Sequence, residues 1–218
     1  MQCLRLLGMR IDRGVRRVVA LSTDKASSPA GLYGASKLVA DKLFVAANLD
    51  AGSRDTLFSV VRYGNVLGSR GSVVPRFRSA AADGRIPLTD ERMSRFCVTA
   101  ERAAEVVFRA LATMRGGEIF VPKVPSLRVA DLARAIDARA EIETIGMRPG
   151  EKLHEEMIGE ADVHRSFDCG DHFVIEPEVE IPGRAPASGA PVPAGFRYSS
   201  ESNEDWLGID AISELLPD

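Results

Sequence analysis

Residues 22–37, Ser22-Thr23-Asp24-Lys25-Ala26-Ser27-Ser28-Pro29-Ala30-Gly31-Leu32-Tyr33-Gly34-Ala35-Ser36-Lys37, place an acid, an amine, a phenol and a second amine around one strand-to-helix connection. Upstream, Val18-Val19-Ala20-Leu21 is a short apolar run, which predicts a buried strand over 15–21. Downstream, Ala35, Leu38, Val39, Leu43 and Ala46 recur at helical spacing, which predicts a core-facing stripe on a helix over 33–49. Tyr33 and Lys37 are four apart and so share one face near the start of that helix. An ammonium held beside a phenol favours phenolate, a usable general base near neutral pH. The cluster predicts hydroxyl-oxidising chemistry.

Outward from this stretch, residues 2–13 read as the last turns of a helix, with Gly14 as its left-handed cap. Leu57–Tyr63 is rich in β-branched and aromatic residues and predicts a second strand, followed by a glycine-rich loop over 64–72. Helices are expected over 73–83 and 99–114, then a strand over 118–121 after Gly116-Gly117. Strands alternating with helices imply a parallel α/β sheet. Past residue 127 the pattern changes to a short helix, a strand over 141–145 and the polar run Arg148-Pro149-Gly150-Glu151-Lys152-Leu153-His154-Glu155. Five prolines between 176 and 195 predict an irregular surface loop, and Trp206-Leu207 with Ile212–Leu216 a docked terminal helix. Glu155-Glu156 reads as a solvated helix face.

A length of 218 residues allows a substantial core, and a net charge of −3 gives no footprint for nucleic acid or an anionic membrane. Apolar runs are far shorter than a membrane span, and the opening Met1–Leu7 has too short an apolar core for a signal peptide. Cys3, Cys97 and Cys169 are scattered thiols, which suits a reducing cytoplasm, and His154, His164 and His172 lack zinc spacing, so no metal is expected.

Five motifs share one resemblance. Tyr-x-x-x-Lys after a strand ending in Ser-Thr is similar to the extended short-chain dehydrogenase/reductase superfamily. Ser22–Ala26, Arg62–Val66, Gly68–Pro75, Gly116–Lys123 and Arg148–Glu155, in this order, resemble the inverting UDP-N-acetylglucosamine 4,6-dehydratases of the pseudaminic acid type. Related membrane-anchored dehydratases that retain C5 configuration usually carry Met where this chain has Tyr33, so the resemblance is to the soluble, inverting branch. It implies an α/β fold: residues 1–125 as the C-terminal part of a Rossmann-like doubly wound parallel sheet bearing the catalytic residues, and 126–218 as a smaller mixed α/β substrate lobe with a tail.

The resemblance also implies roles. Tyr33 takes the proton of the sugar 4-hydroxyl and Lys37 lowers its pKa. Lys25 is the base for the C5 proton, Asp24 the acid for the departing 6-hydroxyl, and Thr23 the hydrogen-bond donor to the 4-oxyanion. Tyr33, Lys37, Val66, Leu67, Gly68, Ser69 and Arg70 are assigned to the cofactor, NADP with NAD as the alternative. Asn65, Val73, Thr89 and Arg148 are assigned to the substrate, UDP-N-acetylglucosamine or a related nucleotide sugar. The expected product serves surface polysaccharide or flagellin sugars, and the full-length family is expected to be homo-oligomeric.

Ahead of the cluster there is no Gly-x-Gly-x-x-Gly behind a strand. The expectation drawn is a truncated dehydratase chain that binds NADP poorly and is inactive alone. Two other readings stay open: a non-catalytic nucleotide-sugar-binding or regulatory protein, and an epimerase or reductase of the same superfamily.

Overall fold

The β-branched run ahead of Asp24 forms β1 (Arg17–Thr23). It runs two residues past its apolar pattern because Ser22 and Thr23 still pair, in parallel, with Arg62 and Tyr63 of β2 (Leu57–Tyr63). The computed structural model describes residues 11–52, 54–69 and 72–216. Gly14 is left-handed at φ 67° and its N–H caps Ile11, as expected; most of the helix predicted before it lies outside the described residues.

Helix α1 (Leu32–Ala51) ends at Gly52, whose φ of 57° suits glycine. Its buried face is not the predicted stripe. Gly34, Asp41, Val45, Ala47, Asn48 and Ala51 are buried, whereas Ala35 and Val39 are exposed. Polar anchors set the phase. The Asn48 amide donates to Phe58 O at 2.9 Å and its oxygen accepts from Phe58 N at 3.0 Å, pairing with β2 as a strand would. Asp41 meets Arg62, itself only 1% exposed, at 3.3 Å.

Asn65–Val66 forms the short β3, and α2 (Val73–Ala81) follows. Two strands the periodicity did not reveal come next, β4 (Arg85–Leu88) and β5 (Ser94–Val98), both short and interrupted by Arg, Pro or Ser. Helix α3 (Ala100–Thr113) starts at Thr99, whose hydroxyl accepts from Arg102 N. The chain continues through β6 (Ile119–Pro122), β7 (Ser126–Arg128), α4 (Val129–Ile136), β8 (Glu141–Thr144), β9 (Glu156–Ile158) and the one-turn α5 (Glu160–Val163). It closes with β10 (Ser166–Asp168), β11 (His172–Ile175), β12 (Ala190–Pro191), β13 (Tyr198–Ser199) and α6 (Ile209–Leu215).

The main sheet has the order β1-β2-β6-β11-β10-β12, parallel from β1 to β6 and antiparallel beyond. This is the expected α/β architecture with parallel strands. Smaller sheets, β3-β5-β7 and β4-β8, build the lobe. Packing interleaves across residue 125: Val74, Phe77, Ile86 and Leu88 share a core with Leu127, Leu132 and Ile212, while β10 and β11 rejoin the main sheet. Arg62 fastens the layers from inside, donating to Asp162 at 3.0 Å and to Met157 O at 2.8 Å. No helix among the described residues is long and apolar enough to cross a membrane.

Candidate active site

β1 and β2 end side by side, Thr23 opposite Tyr63, and the predicted cluster sits just beyond these carboxyl ends, where open α/β sheets form their clefts. Thr23 is extended and accepts from Lys25 N at 3.4 Å, which starts a single 3-10 turn over Asp24–Ala26. Its hydroxyl donates to Asp24 Oδ1 at 2.9 Å. Asp24 is fully buried, and Oδ1 also receives Lys25 Nζ at 3.0 Å, while Oδ2 has no hydrogen-bond partner. Lys25 Nζ lies 3.2 Å from a second carboxylate, Glu155 Oε1. Burial works against the Lys25 charge, but Asp24 and Glu155 together outweigh it and raise its pKa above the ordinary 10.5. At rest Lys25 is an ammonium.

The turn is packed tightly onto α1. A Cβ on Gly34 would lie 2.3 Å from the Lys25 carbonyl oxygen, so only glycine lets the helix start here. Ser28 holds a left-handed φ of 45°, rare for a residue with a side chain, and its hydroxyl donates to Glu156 Oε2 at 2.9 Å. Lys152 Nζ donates to Ser27 O at 2.6 Å. Three side chains from residues 152–156 thus reach the turn at Lys25, Ser27 and Ser28.

Tyr33 is 60% exposed at the first turn of α1, and its near neighbour is another phenol. Burial, and then the Tyr33 ring beside it, push Tyr63 upward. Lys37 Nζ donates to Leu21 O at 2.7 Å, which anchors the amine to the β1 backbone. Lys25, Tyr33 and Asn65 line one cleft of about 270 Å³ together with Arg95, Lys152 and Glu155. Asp24 and Thr23 do not line it, and reach it through the contact of Asp24 with Lys25. Asn65, Val66, Leu67 and Val73 border a neighbouring cavity of about 30 Å³ beside Arg95. Gly68, at φ 70°, and Ser69 complete the turn after β3; Arg70 lies outside the described residues. Thr89 is half-buried after β4 and Arg148 is exposed, its N–H donating to Glu151 Oε2 at 2.9 Å; neither lines the cleft.

Sequence reasoning missed four residues at this site: Arg95, Lys152, Glu155 and Glu156. The last pair is not a solvated helix face. Glu155 and Glu156 are 3% and 5% exposed, and Glu156 belongs to β9, where Arg197 Nε donates to it at 2.7 Å. Adjacent carboxylates inside a shared motif were the available signal, but their partners lie about 130 residues upstream in the chain. A larger cavity, about 480 Å³ and lined by Phe173, Phe196 and Tyr198 among others, shares no residue with the cleft. His154 Nδ1 is 2.7 Å from Ser94 Oγ, and His172 stacks on Phe120. No group of three or more His, Cys, Asp or Glu suited to a metal occurs among the described residues.

Known proteins are similar to this chain over most of its length. The inverting UDP-N-acetylglucosamine 4,6-dehydratase of Campylobacter jejuni (strain 81-176) is 45% identical over 94% of this chain, which spans 64% of that relative's length. The crystal structure of Pen from Bacillus thuringiensis superposes with a TM-score of 0.83 at 32% identity, covering 98% of this chain and 65% of that one. A dTDP-glucose 4,6-dehydratase from Bacillus anthracis, solved in complex with NAD, shares the fold over 68% of this chain and 55% of its own, at TM-score 0.59 and 18% identity. A family model described as polysaccharide biosynthesis protein matches residues 3–177. With that match over most of its length, and with the dehydratase motifs in place, the chain belongs to the polysaccharide biosynthesis protein family.

Proposed function

We propose that this chain carries the catalytic cluster of a nucleotide-sugar 4,6-dehydratase, a lyase. The reaction is the NADP-dependent conversion of UDP-N-acetylglucosamine to a UDP-4-keto-6-deoxy sugar with inversion at C5. The setting is cytoplasmic synthesis of surface or flagellar sugars of the pseudaminic acid type, by a homo-oligomer. The observation that supports it best is one cleft lined by an exposed phenol, Tyr33, and by a lysine held against a fully buried aspartate.

The residues present fit the nicotinamide end of a dinucleotide. Tyr33 stands exposed at the helix start, Lys37 is anchored beside it on β1, and the turn Val66–Ser69 follows the end of β2. Arg70 is assigned to the same end. Among the described residues no Gly-x-Gly-x-x-Gly follows a strand to cradle the pyrophosphate. Held at its nicotinamide end by Tyr33, Lys37 and the loop after β3, the cofactor would supply the hydride acceptor and donor that the reaction needs.

Tyr33, as the phenolate, takes the proton of the sugar 4-hydroxyl and becomes the phenol. The ketone so formed acidifies the C5 proton. Lys25 rests as an ammonium, so it acts as base only after giving up a proton, and its partner 3.0 Å away is Asp24. A substrate that closes the cleft dries this ion pair and favours the neutral form, amine plus carboxylic acid. One N–H bond breaks and one O–H bond forms, which readies base and acid together. Lys25 then removes the C5 proton and Asp24 protonates the departing 6-hydroxyl, which leaves as water. Thr23 serves the 4-oxyanion by turning its hydroxyl from Asp24. A water molecule on the face opposite Lys25 then supplies the proton that returns to C5, which inverts the centre. Asn65, at the cleft wall, is proposed for the nucleotide sugar together with Val73, Thr89 and Arg148, which do not line the cleft, Arg148 for its diphosphate.

The test joins this chain to the segment of the Campylobacter relative that it does not span, supplies UDP-N-acetylglucosamine and NADP, and follows loss of one water by mass spectrometry. Dehydration abolished by Lys25→Ala and by Asp24→Asn is the expected result. Sugar-nucleotide binding without water loss refutes the proposal and points to a binding protein.

A further inference from the structure

The segment 148–156 does more than border the cleft. Lys152 and Glu156 grip the backbone and hydroxyl of the catalytic turn, but Glu155 touches the working nitrogen itself, at 3.2 Å. Its position is fixed by its own backbone. Glu155 N donates to Ser200 Oγ at 2.9 Å, Ser200 N donates back to Glu155 O at 2.8 Å, and Ser200 Oγ is tied to Ser94 at 2.8 Å. The carboxylate is therefore delivered into the site by a rigid frame, 3% exposed, and its Oε2 has no hydrogen-bond partner. A buried anion left half-satisfied is costly.

The charged groups around Lys25 explain what the anion does. Asp24 faces it from its own turn and Glu155 from across the cleft. Two cations flank Glu155, with Lys152 Nζ at 3.8 Å and Arg95 Nε at 3.9 Å, and the Tyr33 phenol faces the same cleft from α1. We propose that Glu155 is a positioning residue that holds the Lys25 amine between two carboxylates at the wall of the cleft. The inference rests on the reading of Lys25 as the group that works on C5. It assigns to Glu155 two effects through Lys25: aim, and the share of the amine kept as ammonium.

An assay without substrate or cofactor separates this inference from the reading it rests on. The intact chain is treated briefly with acetic anhydride, which acylates only neutral amines, and labelling at Lys25 is quantified by peptide mass spectrometry against Lys42, paired on the surface with Glu178. Glu155→Gln keeps the shape and removes the charge, so Lys25 labelling at about pH 8.5 is expected to rise roughly three- to tenfold, because less of the amine is held as ammonium. Glu155→Asp keeps the charge but withdraws it by one methylene and is expected between Gln and wild type. Labelling of the Gln variant equal to wild type, or of the Asp variant equal to or above Gln, overturns the proposal. Should the Gln variant not fold, the Asp variant decides alone: labelling no higher than wild type overturns it. Labelling in the expected order by a chain that, completed as above, loses no water from the sugar refutes the dehydratase reading and leaves the contact standing.

Discussion

Gly34→Ala sets helix propensity against close packing at the catalytic turn. Propensity alone makes the change favourable by up to about 1 kcal/mol, since Gly34 lies within the first turn of α1. Packing opposes it. The new Cβ would lie 2.3 Å from Lys25 O, 3.0 Å from Pro29 Cβ and 3.2 Å from Lys25 C. The first contact is roughly 1 Å inside van der Waals separation, and the atom it meets is backbone, which cannot swing aside. Overpacking of this severity belongs at the upper end of the usual range, about 3 kcal/mol, so the net loss is about 2 kcal/mol. For a chain of this size that lowers Tm by roughly 4–8 °C. Thermal melting followed by circular dichroism measures it, with Ala35→Gly at the adjacent exposed position as yardstick, expected to cost about 1 kcal/mol through propensity only. Adding a methyl at 34 should therefore hurt more than removing one at 35. A Gly34→Ala protein as stable as wild type, or more so, refutes the close approach of helix and turn. The displaced Lys25 should also cost about a hundredfold in turnover of the completed enzyme.

Other expectations follow from the same contacts. Ser28→Ala loses the hydrogen bond to the buried Glu156 carboxylate while keeping the left-handed strain, and should cost about 2 kcal/mol; Ser28→Gly loses the bond but relaxes the backbone, so urea midpoints should rank wild type, Gly, then Ala. Arg62→Met strands Asp41 without its cation and leaves Asp162 with Arg165, and should cost about 3–5 kcal/mol, with much of the loss recovered when Asp41→Leu is added; a smaller loss than from Ser28→Ala would contradict the buried network. Burial pushes the Cys97 thiol up to about 12, so the folded chain keeps a proton that the unfolded chain releases above about pH 9. Stability then falls as pH rises from about 9 towards 12, by up to about 1.4 kcal/mol per pH unit from this thiol. Cys97→Ala should flatten the urea-midpoint profile over that window, and an unchanged slope contradicts the assignment.

The local arrangement of the candidate cluster was legible before any fold was known. Tyr33 and Lys37 needed only helical spacing, and Thr23-Asp24-Lys25 only their place after a strand, because these relations are local in the chain. The phase of α1 was not legible. Counting apolar residues selected Ala35 and Val39, whereas the buried face is chosen by Asn48 bonding to β2 and Asp41 reaching Arg62. β4 and β5 escaped notice because each is completed by a partner far off, β4 by β8 and β5 by β7.

Glu155 and Glu156 mark the boundary most clearly. Two adjacent carboxylates in a polar run have the composition of a solvated surface, and nothing within several residues argues otherwise. The tertiary structure brings them to Lys25 and Ser28, about 130 positions away, and buries them there. From the sequence alone came the residue types, the first alternating strands and helices and the chemistry those types permit, since covalent spacing and side-chain character suffice for these. Which carboxylate faces which amine, and in what dielectric, was decided by the tertiary structure. Electrostatic interaction depends on distance through space, and the chain order carries no measure of that distance between residues so far apart.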